Sequence, residues 1–134
     1  MKLVWSIKVG CDGHAEKISA GLHSMHEFCV KNIGPKCELL EFVHAMRLPS
    51  PYVMVIDESG LYHNLELNPV GCWLYQTDIH GCPIVGDVLF LKDVMTLEGP
   101  DYGYLDERDV EVLTTILTKF GARFGEGKSQ KEGK

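Results

Sequence analysis

Tyr52-Val53-Met54-Val55-Ile56, followed by Asp57-Glu58-Ser59-Gly60, is the stretch that decides the fold. Five β-prone side chains without a polar residue among them read as a buried central strand. Pro49 and Pro51 precede it, and the Asp-Glu-Ser-Gly run reads as a tight turn, because Asp commonly bonds its own backbone there. A second run, Pro83 to Leu91, has the same buried character, and Gly86 inside it points to a bulge or a close backbone approach.

Working outward, Leu3, Trp5, Ile7 and Val9 alternate with Lys2, Ser6 and Lys8, broken only by Val4, which predicts a half-buried strand ended by Cys11-Asp12-Gly13. From Ser19 the period changes. Leu22, Met25, Cys29 and Ile33, with Phe28 beside them, make one helical stripe. Ser24 and Glu27 have capping-box spacing, Ser19 is a competing cap, and Gly34-Pro35 ends the helix. Cys37 to Val43 is apolar with Glu38 and Glu41 interleaved and reads as a strand. Leu61, Leu65 and Leu67 are expected to continue into a short pairing strand. Asn68-Pro69 reads as the cap and first position of a short helical turn through Leu74. Asp106 is expected to cap a last helix with the stripe Val110, Leu113, Leu117 and Phe120, Ile116 alongside, and acidic residues in its first turn.

These elements predict one α+β domain over 1–120, with a mixed or mainly antiparallel sheet and the two longer helices packed on one face. Residues 121–134, rich in Gly and Lys, read as a flexible tail. The length of 134 residues fits a single domain, and there is no repeat or heptad run. Thirteen Lys+Arg against 19 Asp+Glu leave a net charge of -6, which argues against a general phosphate-backbone binder. Five cysteines, an odd number without a Cys-x-x-Cys pair, do not form a secreted disulfide framework. No signal-like segment or membrane-length apolar run is present, so the expectation is a soluble cytoplasmic protein without direct contact to membrane or nucleic acid.

His26 and Cys29 on the first helix, with His80 and Cys82 in a loop, are conceivable zinc ligands. They lack the tight ligand pairs of a structural zinc site, so neither metal nor cofactor is expected. Cys72 and Cys82 are conceivable thiolate nucleophiles, but nothing in the sequence sets a histidine against either sulfur, and buried packing is the commoner role of a free Cys. Asp57-Glu58 is explained by its turn, and Asp87 by a half-exposed strand. No Gly-rich phosphate cradle occurs. Catalytic residues are therefore not assigned.

The segment Tyr62 to Tyr75 is the most unusual. Aromatics beside amides make recognition surfaces, which nominates Tyr62, His63, Asn68, Trp73 and Tyr75, with His80, for ligand or partner binding. Packing of Trp73 and Leu74 onto the sheet is the plainer alternative. Asp101, Asp106, Glu107, Asp109 and Glu111 nominate an acidic face, or else the ordinary start of a solvated helix.

The run Leu65-Glu66-Leu67-Asn68-Pro69-Val70-Gly71-Cys72-Trp73-Leu74-Tyr75, followed by His80-Gly81-Cys82-Pro83-Ile84-Val85-Gly86-Asp87-Val88-Leu89, resembles the core signature of an uncharacterised domain family of phages, plasmids and conjugative elements of Firmicutes. The turn Asp57-Glu58-Ser59-Gly60, the Leu-x-Leu-Asn motif and the Ile-Val-Gly strand carry the resemblance, which covers roughly residues 50 to 92. Cys72 and Cys82 depart from its pattern. The resemblance implies an accessory protein of a mobile element inside a bacterial cell and transfers no catalytic residue. Two functions fit that context. One is a non-enzymatic binder of a host protein, such as an inhibitor of a defence nuclease whose basic channel would attract an acidic partner. The alternative is a module for a nucleotide or signalling ligand near Asn68, Trp73 and Tyr75; an enzyme comes third. The oligomeric state is left open.

Overall fold

The computed structural model describes residues 3–21, 24–34 and 36–125. Leu22 and His23, the expected helix stop at Pro35, and residues 126–134 of the expected tail lie outside the described residues. The elements are β1 (Trp5–Val9), β2 (His14–Ser19), α1 (Met25–Ile33), β3 (Leu40–Val43), β4 (Tyr52–Asp57), α2 (Pro69–Leu74), α3 (Thr77–His80), β5 (Val88–Thr96), β6 (Gly99–Gly103), α4 (Glu107–Lys119) and β7 (Arg123–Phe124). The strands form one seven-stranded sheet in the order β3-β4-β5-β1-β2-β7, with β6 paired to β5. Every pairing is antiparallel except that of β2 with β7. The α+β class and the mainly antiparallel sheet are those expected. Among the described residues no helix is long and apolar enough to cross a membrane.

The placement of the helices differs from the expectation. All six residues of β4 are buried, as are Val88 to Leu91 of β5. Successive side chains of a strand point to opposite faces, so uninterrupted apolar runs need cover on both. Met54, Ile56, Val88 and Phe90 pack with Val70 and Leu74 of α2 and Leu113 and Leu117 of α4. Val53, Val55, Leu89 and Leu91 pack in a separate core with Phe28, Cys29 and Ile33 of α1. The two longer helices thus cover opposite faces instead of sharing one.

The helix ends follow local chemistry. Ser24 accepts from the Glu27 backbone N–H at the start of α1, and Asn68 caps α2 with Pro69 in its first turn. Asp106 and Asp109 form a reciprocal capping box on α4. The strand over Pro83 to Leu91 begins only at Val88, because Gly86 takes a φ of 82° that breaks extended backbone. It then runs on to Thr96, where Leu97 and Glu98 turn into β6. Leu61 to Leu67 is a series of turns with one bridge, Leu67 to Val85, and no strand. β7 falls inside the stretch read as tail, with Ala122 buried beside it.

Candidate functional site

Asn68 is completely buried, and its amide joins three elements. Its Oδ1 accepts from the Gly71 N–H at 3.0 Å, and its Nδ2 donates to Val9 O at 3.0 Å and Gly86 O at 2.9 Å. It ties the end of β1, the approach to β5 and the start of α2 together. Nominated from sequence for ligand binding, Asn68 has its polar atoms engaged inside the protein.

The strut fixes α2, and Trp73 on α2 remains 42% exposed. The Arg47 guanidinium lies 4.0 Å from the centre of the Trp73 ring. Arg47 also donates to Trp73 O at 2.8 Å and, through both terminal nitrogens, to the Asp78 carboxylate at 2.8 and 3.1 Å. That hydrogen bonding holds the Asp78 carboxyl below its ordinary range. A cavity of about 330 Å³ adjoins the ring, lined by Leu67, Pro69, Cys72, Trp73, Thr77 and Asp78. Leu67 is exposed at its rim, and Met46 and Ile79, the sequence neighbours of Arg47 and Asp78, are exposed as well. Arg47 and Asp78 were not nominated from sequence, and no local signal marks a contact between residues so far apart along the chain.

Tyr75 and His80 sit close to one another, ring centres 4.9 Å apart and edge to face. The Cys82 N–H donates to His80 Nδ1 at 3.1 Å, so Nε2 carries the hydrogen and donates to Tyr75 O at 2.6 Å. Both ring nitrogens therefore fasten the α3 loop. Tyr62 and His63 lie elsewhere, in the turn after β4. Tyr62 is exposed, while His63 Nδ1 pairs with Oδ2 of buried Asp57 at 2.9 Å. Asp57 Oδ1 accepts from Ser59 N–H at 2.9 Å, the turn bond expected from sequence. The six nominated residues thus divide into Trp73 at its cavity, the Tyr75-His80 pair of the α3 loop, the Tyr62-His63 turn and the buried Asn68 strut.

The thiols are not set up as nucleophiles. Burial pushes Cys29 up to about 12. It pushes Cys37 up to about 11, with Asp57 and Glu38 adding repulsion. Cys72 is bonded both ways to the Ile84 backbone, donating to O and accepting from N–H at 3.3 Å each. His80 accepts the backbone N–H of Cys82 and not its thiol. Cys29 is buried in the α1 layer while His26 is exposed, and among the described residues no group of three or more His, Cys, Asp or Glu could hold a metal ion.

Of the five residues of the acidic face, Asp109 is withdrawn from the surface and Asp106 is partly engaged. Asp109 is buried, accepting from Tyr52 Oη at 2.9 Å, from Lys92 Nζ and from the Asp106 backbone N–H at 2.9 Å. Asp106 Oδ1 accepts the Asp109 N–H. Capping and Lys92 engage both, leaving Asp101, Glu107 and Glu111 exposed. No family model, curated protein or solved structure matches this chain.

Proposed function

We propose that the protein acts by binding another protein, without catalysing a reaction, through the surface built on Trp73. The observation that supports this most directly is the half-exposed indole held between a clamped Arg47 and an apolar cavity. Trp and Arg dominate the energetics of protein interfaces, and an anchor already fixed in the free protein loses little side-chain freedom on binding. Leu67, exposed in the lining of the same cavity, adds apolar area beside it. The bacterial host protein implied by the family resemblance, a defence nuclease for instance, is a partner of the right kind. The net charge of -6 favours encounter with a basic surface.

The test is capture from lysate of a bacterial host, followed by affinity measurement on the identified protein. Trp73→Ala is expected to weaken binding by about thirtyfold, as for an interface hot spot. Glu111→Ala, on exposed α4, is expected to leave it within about twofold. An affinity untouched by Trp73→Ala, with the fold intact by circular dichroism, overturns the proposal. Loss with Glu111→Ala alone returns the contact to the acidic helix.

A further inference from the structure

A second cavity, independent of the Trp73 surface, opens where α1 and β4 end. Its volume is about 240 Å³. Ile33, Cys37 and Leu65 give it apolar walls, and Lys36, Asp57 and His63 supply its polar groups. Protein cavities of roughly 150 Å³ accept benzene, so this space suits one small ring with substituents and is too small for a nucleotide.

The polar groups are not equivalent. Asp57 uses both carboxylate oxygens, one for Ser59 N–H and one for His63 Nδ1. A carboxylate only accepts, so Nδ1 carries the hydrogen, and in the ring's neutral form Nε2 is an acceptor. Nε2 takes no hydrogen bond from any described residue, and Lys36 makes no ion pair among the described residues. Among the described residues, the cavity therefore offers Lys36 as an unpaired cation and His63 Nε2 as an unused acceptor beside apolar walls, while the Asp57 carboxylate in its lining is already engaged. An amine would face the Lys36 ammonium, and a hydrocarbon would leave Nε2 without a partner.

We propose that this cavity binds a small hydroxycarboxylic acid with a compact apolar body, its carboxylate paired with Lys36 and its hydroxyl donating to His63 Nε2. The fixed Asp57-His63 pair orients the acceptor, as a carboxylate bonded to the far nitrogen of a metal-bound imidazole orients that ring.

The three hydroxybenzoate isomers serve as probes, with benzoate and benzyl alcohol as the analogues lacking the hydroxyl and the carboxylate. Binding is read from amide chemical shifts of the full chain. At least one isomer is expected to give saturable shifts at Ile33, Gly34, Cys37 and Leu65, and to bind more tightly than either analogue. Lys36→Met, at an exposed position that the fold does not need, is expected to weaken that isomer by about threefold to fivefold and to leave benzyl alcohol unchanged. The proposal is overturned by an absence of saturable shifts, by shifts confined to other regions, or by equal binding of all five probes with no effect of Lys36→Met.

Discussion

Asn68 and Asp109 each hold several backbone or side-chain groups that would otherwise be buried without partners. Asn68→Ala removes the cap of α2 and frees two buried carbonyls, Val9 O and Gly86 O. A lost cap costs about 1 kcal/mol, and each stranded acceptor about the same. Urea denaturation is expected to show a loss of about 2–4 kcal/mol, and a loss under 1 kcal/mol would mean that water replaces the amide. At Asp109 burial acts to raise the pKa, but Lys92, the Asp106 N–H and Tyr52 outweigh it and hold the carboxyl below its ordinary value. The folded state thus binds that proton less readily than the unfolded chain. Its contribution is complete above the ordinary carboxylate range near pH 4 and is lost as pH falls through the lower, folded value. Asp109→Asn is therefore expected to flatten the fall in urea midpoint between about pH 5 and pH 2, while lowering the midpoint at pH 7 because Lys92 loses the closer of its two carboxylates. An acid limb identical to that of the parent would place the acid sensitivity in another group.

At the scale of elements, Gly86 sets where β5 begins. Its φ of 82° is one that side-chain-bearing residues rarely adopt, and a Cβ there would stand 2.7 Å from Leu65 Cδ1. Gly86→Ala is expected to cost about 1–3 kcal/mol, combining backbone strain with overpacking. In a Leu65→Ala background the clash disappears and the strain remains, so the penalty should shrink without vanishing; an undiminished penalty would assign all of it to the backbone. The close approach at Gly86 was legible because a glycine interrupts an apolar run, as were α1, α2 and α4, which carry their caps in the sequence. What escaped has little local signal. β6 is Gly-Pro-Asp-Tyr-Gly, poor in β-formers, and is a strand because it returns along Lys92 to Thr96 after a two-residue turn. β2 alternates weakly, and β7 is two residues held by one parallel pairing to it. α3 starts from Gln76 in the left-handed region, which no residue preference announces. The candidate site was legible in part for the same reason. Trp73 stands out by type, whereas Arg47 reaches it across 26 residues and Asp57 looks like an ordinary turn residue until His63 folds back onto it.

For the whole molecule, the consequence of two-sided burial is that its cores share their strands. Met54 and Ile56 belong to the α4 layer while Val53 and Val55, alternate residues of the same β4, belong to the α1 layer. β5 divides in the same way at Val88 to Leu91. Detaching α1 would uncover half of each strand, and the pairings to β3 and β1 would lose their apolar support. One layer is therefore not expected to melt without the other, despite their separation by a sheet. Ile33→Val thins the α1 layer and Ile7→Val the α4 layer; each should lower stability by about 0.5–1.5 kcal/mol. The two sites share no core cluster, so their effects should add to within about 0.5 kcal/mol. Far-UV circular dichroism and tryptophan fluorescence should give one coincident transition for both single variants and for the double variant. If Ile33→Val instead separates the two signals, α1 is an independently melting layer, and the sheet is held by the α4 side alone.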